Sequence, residues 1–347
     1  MFHDLTVLAV RPEGEDAVAV SFAVPATLAS TFAHAPGQYL TLKADIDGQE
    51  TRRCYSIASA PDTPLTVGIR AVPGGRFSTF AQALQTGQRL AVMPPEGRFV
   101  DRGGDRIVLI AAGSGITPMV SIAAAALARG AEVTLIYGNR TTGSIMFRSA
   151  LEALKDRYLD RFSLIHVLSR EPQDVALLNG RIDAEKIAAL QDAGLVRFET
   201  ADGIYLCGPG AMIDTVADAL GRTCDPDRIH FERFTQEGEP PRAPSDAAIS
   251  AAATGATIEV ILDGVTRQFP LGTTDASVLE AAARAGLELP YSCKGGMCCT
   301  CRCKVVAGQS EMALNYALEP WETEQGFTLA CQTRPTSDRL VLDFDAT

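Results

Sequence analysis

The chain has 347 residues, 46% of them apolar and 21% charged, with a formal net charge of −11. That length makes two or three domains, each long enough to bury a core, and the composition is that of an ordinary globular protein. The acidic balance argues against nucleic-acid binding, which wants a basic face, and leaves docking to a basic protein partner open.

The N-terminus, "MFHDLTVLAV", has no basic leader region and carries Asp4, so it does not read as a signal peptide. Nine cysteines without an export signal point to a reducing compartment, the cytoplasm. Metal or redox chemistry is expected there rather than disulfides.

Residues 1–103 alternate apolar and polar positions between frequent Gly and Pro turns. "LTVLAV", "AVAVSFAV", "QYLTLKA", "RCYSIAS" and "LTVGIRAV" read as strands, so this part is expected to form an antiparallel β-barrel or sandwich. Residues 104–234 change style. Strands at "RIVLIAA", "AEVTLIYGN", "RFSLIHVLS" and "GIYLCG" alternate with helices at 118–129, 147–157, 183–192 and 210–221. Such alternation predicts an α/β domain with a parallel sheet. Residues 107–128 carry no charge and are long enough to cross a bilayer, but Gly113, Gly115 and Pro118 interrupt them. A buried strand, a glycine loop and an Ala-rich helix fit better, and no membrane contact is expected.

Residues 235–256 are rich in Pro, Gly, Ser and Ala without a sustained apolar period, which predicts a linker. The last domain, 257–347, opens with "TIEVILDG" and "VTRQFPL", a hairpin turning at Asp263-Gly264. A helix at "SVLEAAARAG" ends at Gly286, and "RLVLDF" closes the domain as a strand. This domain holds 12 Asp and Glu against 7 Lys and Arg from residue 256 on, an acidic surface suited to a basic partner.

Five of the nine cysteines lie in "CKGGMCCTCRC", Cys293 to Cys303. The spacing Cys293-x4-Cys298-x2-Cys301, with Cys331 far downstream, is that of plant-type [2Fe–2S] centres. Gly295 and Gly296 let the backbone turn tightly and aim N–H groups at the sulfurs. A zinc site, and with it a non-enzymatic zinc-binding scaffold, is the alternative. Zinc usually takes two short Cys pairs, and Cys331 has no cysteine near it in sequence. His3, His34, His166 and His230 all lie outside this domain, so a Rieske centre does not fit. Cys299 and Cys303 fall outside the ligand register and read as small buried residues, with a spare ligand or an oxidation-sensitive thiol as the other reading.

Two motifs upstream suggest a source of electrons. "RCYS", Arg53 to Ser56, and "GGRFS", Gly74 to Ser78, bring together a cation, an aromatic ring, hydroxyls and glycine-flanked N–H groups. That set suits a flavin, although each motif alone also fits an ordinary strand end or loop. "AAGSGITPM" follows a strand and opens a helix, where a phosphate can approach the backbone. Its pattern is G-x-G-x-x-P rather than the dinucleotide fingerprint, so a plain α/β turn stays open. "YLCGPG" ends a later strand in a similar turn, where Cys207 lies beside a nicotinamide or merely fills a buried space.

Taken in order, these motifs resemble ferredoxin–NAD(P)+ reductase-type flavoproteins fused to a plant-type [2Fe–2S] ferredoxin of β-grasp fold. The resemblance implies FAD at Arg53, Tyr55 and Ser56, with Gly75 and Ser78 near its pyrophosphate. It implies NAD(P)H at Gly113, Gly115, Thr117 and Pro118, with Cys207, Gly208 and Pro209 beside the nicotinamide. Glu232 to Phe234 would lie near the flavin face, and Tyr55, Ser56, Cys207 and Glu232 would surround the chemistry. "HAPGQYLTLKADIDGQETRRCYSI", "LIYGNRTTGSIMFR" and the cysteine-loop region resemble, more narrowly, the reductase subunits of phenylacetyl-CoA epoxidases. That resemblance implies electron delivery from NAD(P)H through FAD and [2Fe–2S] to a di-iron oxygenase in aromatic catabolism. Cys299 departs from it, since a smaller residue is usual there. A Rieske-type oxygenase or a steroid hydroxylase is the alternative acceptor. Ser169-Arg170 resembles a pair that holds the 2′-phosphate of NADPH, against a solvated loop as the plain reading, and favours NADPH over NADH.

Overall fold

A computed structural model of the chain describes residues 1–234 and 241–346. The chain divides between residues 237 and 238 into two compact units. Among the described residues, no helix is long and apolar enough to cross a membrane.

The first unit begins with six antiparallel strands: β1 (His3–Pro12), β2 (Ala17–Ala23), β3 (Tyr39–Ile46), β4 (Gln49–Ser56), β5 (Leu65–Arg70) and β6 (Arg89–Val92). Their order is β4-β3-β6-β1-β2-β5, and a single bridge from Ile57 to Val67 brings the two edges together as a barrel. Alternate residues Leu5, Val7, Leu40, Leu42, Val67 and Ile69 fill it and are fully buried. Helix α1 (Arg76–Gln82) adds Phe77 to that core.

A five-stranded parallel sheet follows: β7 (Arg106–Ala112), β8 (Glu132–Asn139), β9 (Phe162–Leu168), β10 (Gly203–Gly208) and β11 (Ile229–Arg233), in the order β11-β10-β7-β8-β9. Helices α2 (Ile116–Ala128), α3 (Arg148–Arg157), α4 (Ala184–Asp192) and α5 (Gly210–Leu220) connect them. Along β7, Ile107, Leu109 and Ala111 enter one core, and Val108 and Ile110 enter another. A sheet buried on both faces explains the continuous apolar run in the sequence. The first core also holds Ala17, Ala19 and Ala58 of the barrel, so barrel and parallel sheet pack as one body. The barrel and the parallel sheet are the expected classes. Strands β6 and β11 and helix α1 were absent from the sequence reading; all three are short and weakly patterned.

The second unit has helix α6 (Asp246–Thr254), then β12 (Thr257–Leu262), β13 (Val265–Pro270), α7 (Val278–Arg284), β14 (Arg302–Ala307), β15 (Ser310–Met312), α8 (Pro320–Glu324), β16 (Phe327–Leu329), β17 (Thr333–Pro335) and β18 (Arg339–Asp343). Its main sheet is mixed, ordered β13-β12-β18-β14-β16, with β12 and β18 parallel. The Asp263-Gly264 turn has φ of 53° and 72°, and Leu262 pairs with Val265 across it. Two positive φ values are what a two-residue hairpin demands.

Part of the segment expected to be a linker differs. Residues 235–240 lie outside the described residues, but Asp246–Thr254 is helical. Ser245 caps it by accepting the Ala248 N–H, Gly255 ends it at φ 70°, and Ala248 and Ala251 are buried. Alanine is the strongest helix former but a weak apolar signal, so its pattern does not stand out from a linker.

Candidate functional site

The topology puts the nucleotide and flavin motifs at one place. In the parallel sheet β8 and β9 extend to one side of β7, while β10 and β11 lie on the other. The crevice at the carboxyl ends of β7 and β10 is therefore the switch point where such sheets take ligands. Gly113–Gly115 leaves β7 as one 3₁₀ turn and runs into α2. A Cβ at Gly115 would overlap the carbonyl of Cys207, so the loop closes on the end of β10 only because Gly115 has no side chain. A Cβ at Gly208 would meet the Met212 methyl and Ala112, a milder crowding because the end of the Met212 side chain can move. Thr117 is buried and its Oγ1 donates to the Ser114 carbonyl at 2.8 Å. Pro118 falls in the first helical turn, where a missing N–H costs no intrahelical bond. Pro209 precedes Gly210 as the N-cap of α5.

The flavin motifs converge on the same mouth. On β4, Arg53 is exposed and Tyr55 is half-buried, its ring centroid 5.6 Å from that of Phe77. This contact brings "RCYS" against "GGRFS". Burial holds the Tyr55 phenol above its usual range, so it stays protonated. Ser78 Oγ donates to the Gly75 carbonyl and accepts the Val72 N–H, each at 3.1 Å, which shapes the turn into α1. Ser56, on the other face of β4, donates to Glu232 Oε2 at 3.2 Å. Glu232 pairs in register with Cys207 across β11 and β10. Protein packed around the Glu232 carboxyl pushes its pKa up to about 8, a rise the Ser56 bond only partly offsets. Burial, and then the Glu232 charge, raise the Cys207 thiol well above its usual range, so it is a neutral group.

Ser169 and Arg170 lie apart from this cluster, exposed at the end of β9. The Ser169 and Arg170 N–H groups donate to the Asn139 and Arg140 carbonyls at 3.0 and 2.8 Å. Three strand spacings separate β10 from β9, about 14 Å, a span suited to an extended dinucleotide. The sequence reading missed Tyr137 and Arg70. The Tyr137 hydroxyl donates to the Gly113 carbonyl at 3.0 Å, and Arg70 Nη1 lies 2.9 Å from where a Gly113 Cβ would be. A tyrosine inside a buried apolar strand was the available signal, because its hydroxyl must find a partner.

In the second unit the four expected cysteines come together. Cys293 and Cys298 Sγ lie 3.1 Å apart, and the thiols of Cys301 and Cys331 contact each other. The N–H groups of Gly295 and Cys298 point at Cys293 Sγ from 3.3 and 3.4 Å. Gly296 turns at φ 73° against the Leu314 carbonyl. Among the described residues, no three His, Cys, Asp or Glu side chains converge as ligands of one metal ion. Two thiol pairs fit a dinuclear cluster, with two thiolates for each iron, better than a single tetrahedral zinc. Cys303 is fully buried and Cys299 half-buried, its Sγ 3.7 Å from the Ala317 carbonyl. Among the described residues, no disulfide joins any of the nine cysteines.

Comparison with known proteins agrees with this layout. Residues 5–100 match the oxidoreductase FAD-binding domain, 109–218 the oxidoreductase NAD-binding domain, and 260–336 the 2Fe-2S iron-sulfur cluster binding domain. The chain is 45% identical to a component polypeptide of the 1,2-phenylacetyl-CoA epoxidase of Escherichia coli (strain K12), over 99% of this chain and 98% of that one. It is 37% identical to the ferredoxin reductase component of 3-ketosteroid-9-alpha-monooxygenase from Rhodococcus rhodochrous, over 98% and 96%. Phthalate dioxygenase reductase shares the fold, with a TM-score of 0.58 at 22% identity over 99% of this chain and 98% of that one. A self-sufficient cytochrome P450 monooxygenase also shares it, with a TM-score of 0.69 at 21% identity over 98% of this chain, which spans 41% of that longer chain. This chain belongs to the reductase components of multicomponent oxygenases, NAD(P)H-dependent oxidoreductases that join FAD-, NAD- and [2Fe–2S]-binding domains.

Proposed function

We propose that this chain carries electrons from NADPH to the di-iron oxygenase component of a phenylacetyl-CoA epoxidase, in the cytoplasm. The observation that carries the reductase chemistry is the contact of the Gly115 loop with Cys207, itself paired with Glu232 beside Ser56. The epoxidase assignment rests on 45% identity across essentially the whole length of both chains. When bound, FAD takes the electron pair of a hydride and the [2Fe–2S] centre passes electrons on singly.

The chain's own residues bind and orient. Gly113, Gly115, Thr117 and Pro118 receive the dinucleotide backbone, and Gly208 and Pro209 form the opposite wall. Cys207, fully buried behind the Gly115 loop, is a small neutral side chain backing the nicotinamide end of the site. Arg53, Tyr55, Ser56, Gly75 and Ser78 hold the flavin. Glu232 keeps a proton near neutral pH next to the Ser56 hydroxyl, which suits it to hold or release a proton beside the flavin ring. Cys293, Cys298, Cys301 and Cys331 are the cluster ligands.

Ser169 and Arg170 hold the 2′-phosphate of NADPH, Arg170 through its planar guanidinium. Arg170→Ala should raise KM for NADPH at least tenfold and leave KM for NADH nearly unchanged; equal effects on both would remove this role. The acceptor is tested by mixing the purified reductase with purified oxygenase components and following NADPH oxidation. Turnover with a phenylacetyl-CoA epoxidase oxygenase and none with a ketosteroid one is the expected pair. The reverse would favour the steroid hydroxylase reading, which the 37% identical relative motivates.

A further inference from the structure

The chain's single tryptophan, Trp321, is 45% exposed. It stands on α8, a helix of five residues held by a capping box and by one fully buried carboxylate, Glu322. Glu319 and Glu322 form a reciprocal capping box at its start. Glu322 is completely buried and accepts Arg302 Nε at 2.8 Å, and the Arg302 guanidinium lies over the Phe327 ring. Asn315 Oδ1 accepts the Ala317 and Leu318 N–H groups at 3.2 and 2.8 Å, which fixes the approach to the helix. The indole N–H itself donates to Glu319 Oε2 at 2.7 Å. The ring is therefore both exposed and fixed in orientation. An aromatic residue ordered before contact loses little entropy on binding, and tryptophan is enriched among the residues that dominate interfaces.

The same segment runs along the cysteine loop. The Tyr316 N–H donates to the Gly296 carbonyl at 3.0 Å, and the Ala317 carbonyl faces Cys299 Sγ. Trp321 lies four residues beyond that contact, at most about 14 Å of extended chain. Exposed Glu319 precedes the ring and exposed Glu324 follows it by three positions on the helix. Acidic groups outnumber basic ones in this unit from residue 256 on, 12 to 7.

We propose that Trp321, flanked by Glu319 and Glu324, is the anchor on which the oxygenase component docks to receive electrons. The partner's matching face is an apolar pocket rimmed by Lys and Arg. The inference rests on the oxygenase-reductase function but on no particular oxygenase substrate. An anchor beside the cysteine loop keeps the electron carrier close to the acceptor, and the acidic rim steers the encounter.

The test uses the full-length holoprotein. Trp321→Ala should leave NADPH oxidation with ferricyanide and the rate of cluster reduction by NADPH unchanged. It should raise KM for the oxygenase component at least tenfold. Trp321→Phe should recover a large part of that loss. Glu324→Lys should raise the same KM and flatten its dependence on salt, because it removes one term of the attraction. Slower cluster reduction by NADPH in Trp321→Ala would overturn the proposal and assign the face to electron entry. An unchanged KM for an oxygenase that the wild type reduces would also overturn it. A wild type that fails to reduce the oxygenase would instead sink the partner assignment.

Discussion

Ser56 Oγ donates a hydrogen bond to Glu232 Oε2 at 3.2 Å, joining residues 176 positions apart. The carboxyl belongs to β11 of the parallel sheet and the hydroxyl to β4 of the barrel, so the bond spans the cleft between flavin and nucleotide motifs. Burial raises the Glu232 pKa from the ordinary 4.5 to about 8. Across that window the native state holds a proton that the unfolded chain has released. Glu232 therefore costs nothing below pH 4.5 and becomes progressively destabilising up to pH 8.

Glu232→Gln removes that titration. Thermal unfolding of the FAD-free wild type and the variant should differ little at pH 5, and the variant should gain steadily as pH rises to 8. A difference that stays constant over this range would place the Glu232 pKa outside it. Ser56→Ala should push the pKa higher still, since the lost bond favoured the charged form. The carboxylic C=O infrared band, followed through a pH titration, reads this directly.

Gly115→Ala should strike nucleotide use first. The added Cβ meets backbone on β10, not the end of a flexible side chain, so loop or strand must move. Overpacking of that kind costs about 1–3 kcal/mol. KM for NADPH should rise about tenfold or more, while FAD content and the [2Fe–2S] spectrum stay near wild type. Retention of wild-type KM would mean the loop and β10 separate easily, contrary to their close approach in the fold.

The four cysteines divide into two pairs, which sets a pattern for their substitution. Serine at Cys293, Cys298, Cys301 or Cys331 should each abolish or severely weaken the [2Fe–2S] absorbance and the iron content, with FAD retained. Serine at Cys299 or Cys303 should keep both irons. Full iron in Cys301→Ser together with loss in Cys299→Ser would show that the ligand register is displaced.

Arg302 and Glu322 form an ion pair with side chains 12% and 0% exposed. Losing one partner of such a pair leaves a buried charge and costs about 3–5 kcal/mol. Arg302→Met should lower the guanidinium concentration that bleaches the cluster, and Arg302→Met combined with Glu322→Leu should recover part of the loss. If both variants bleached at the wild-type midpoint, the pair would contribute nothing to the second unit's stability.

The amino-acid sequence by itself determined the cofactor classes and the domain types. The cysteine spacing is a property of one loop, and a glycine turn between a strand and a helix is legible because its residues are neighbours in the chain. Apolar periodicity distinguished the alternating barrel strands from the continuous runs of the parallel sheet, since one is buried on one face and the other on two. Helix α6 was hidden because alanine carries little apolar signal. Tertiary structure alone decided which motif meets which. Gly115 against Cys207, Ser56 on Glu232 and Arg302 on Glu322 each join elements distant in sequence. Their partners are set by strand order and packing, which no local pattern encodes. The raised pKa of Glu232 belongs to the same class, because desolvation is created by neighbours the chain supplies only once it is folded.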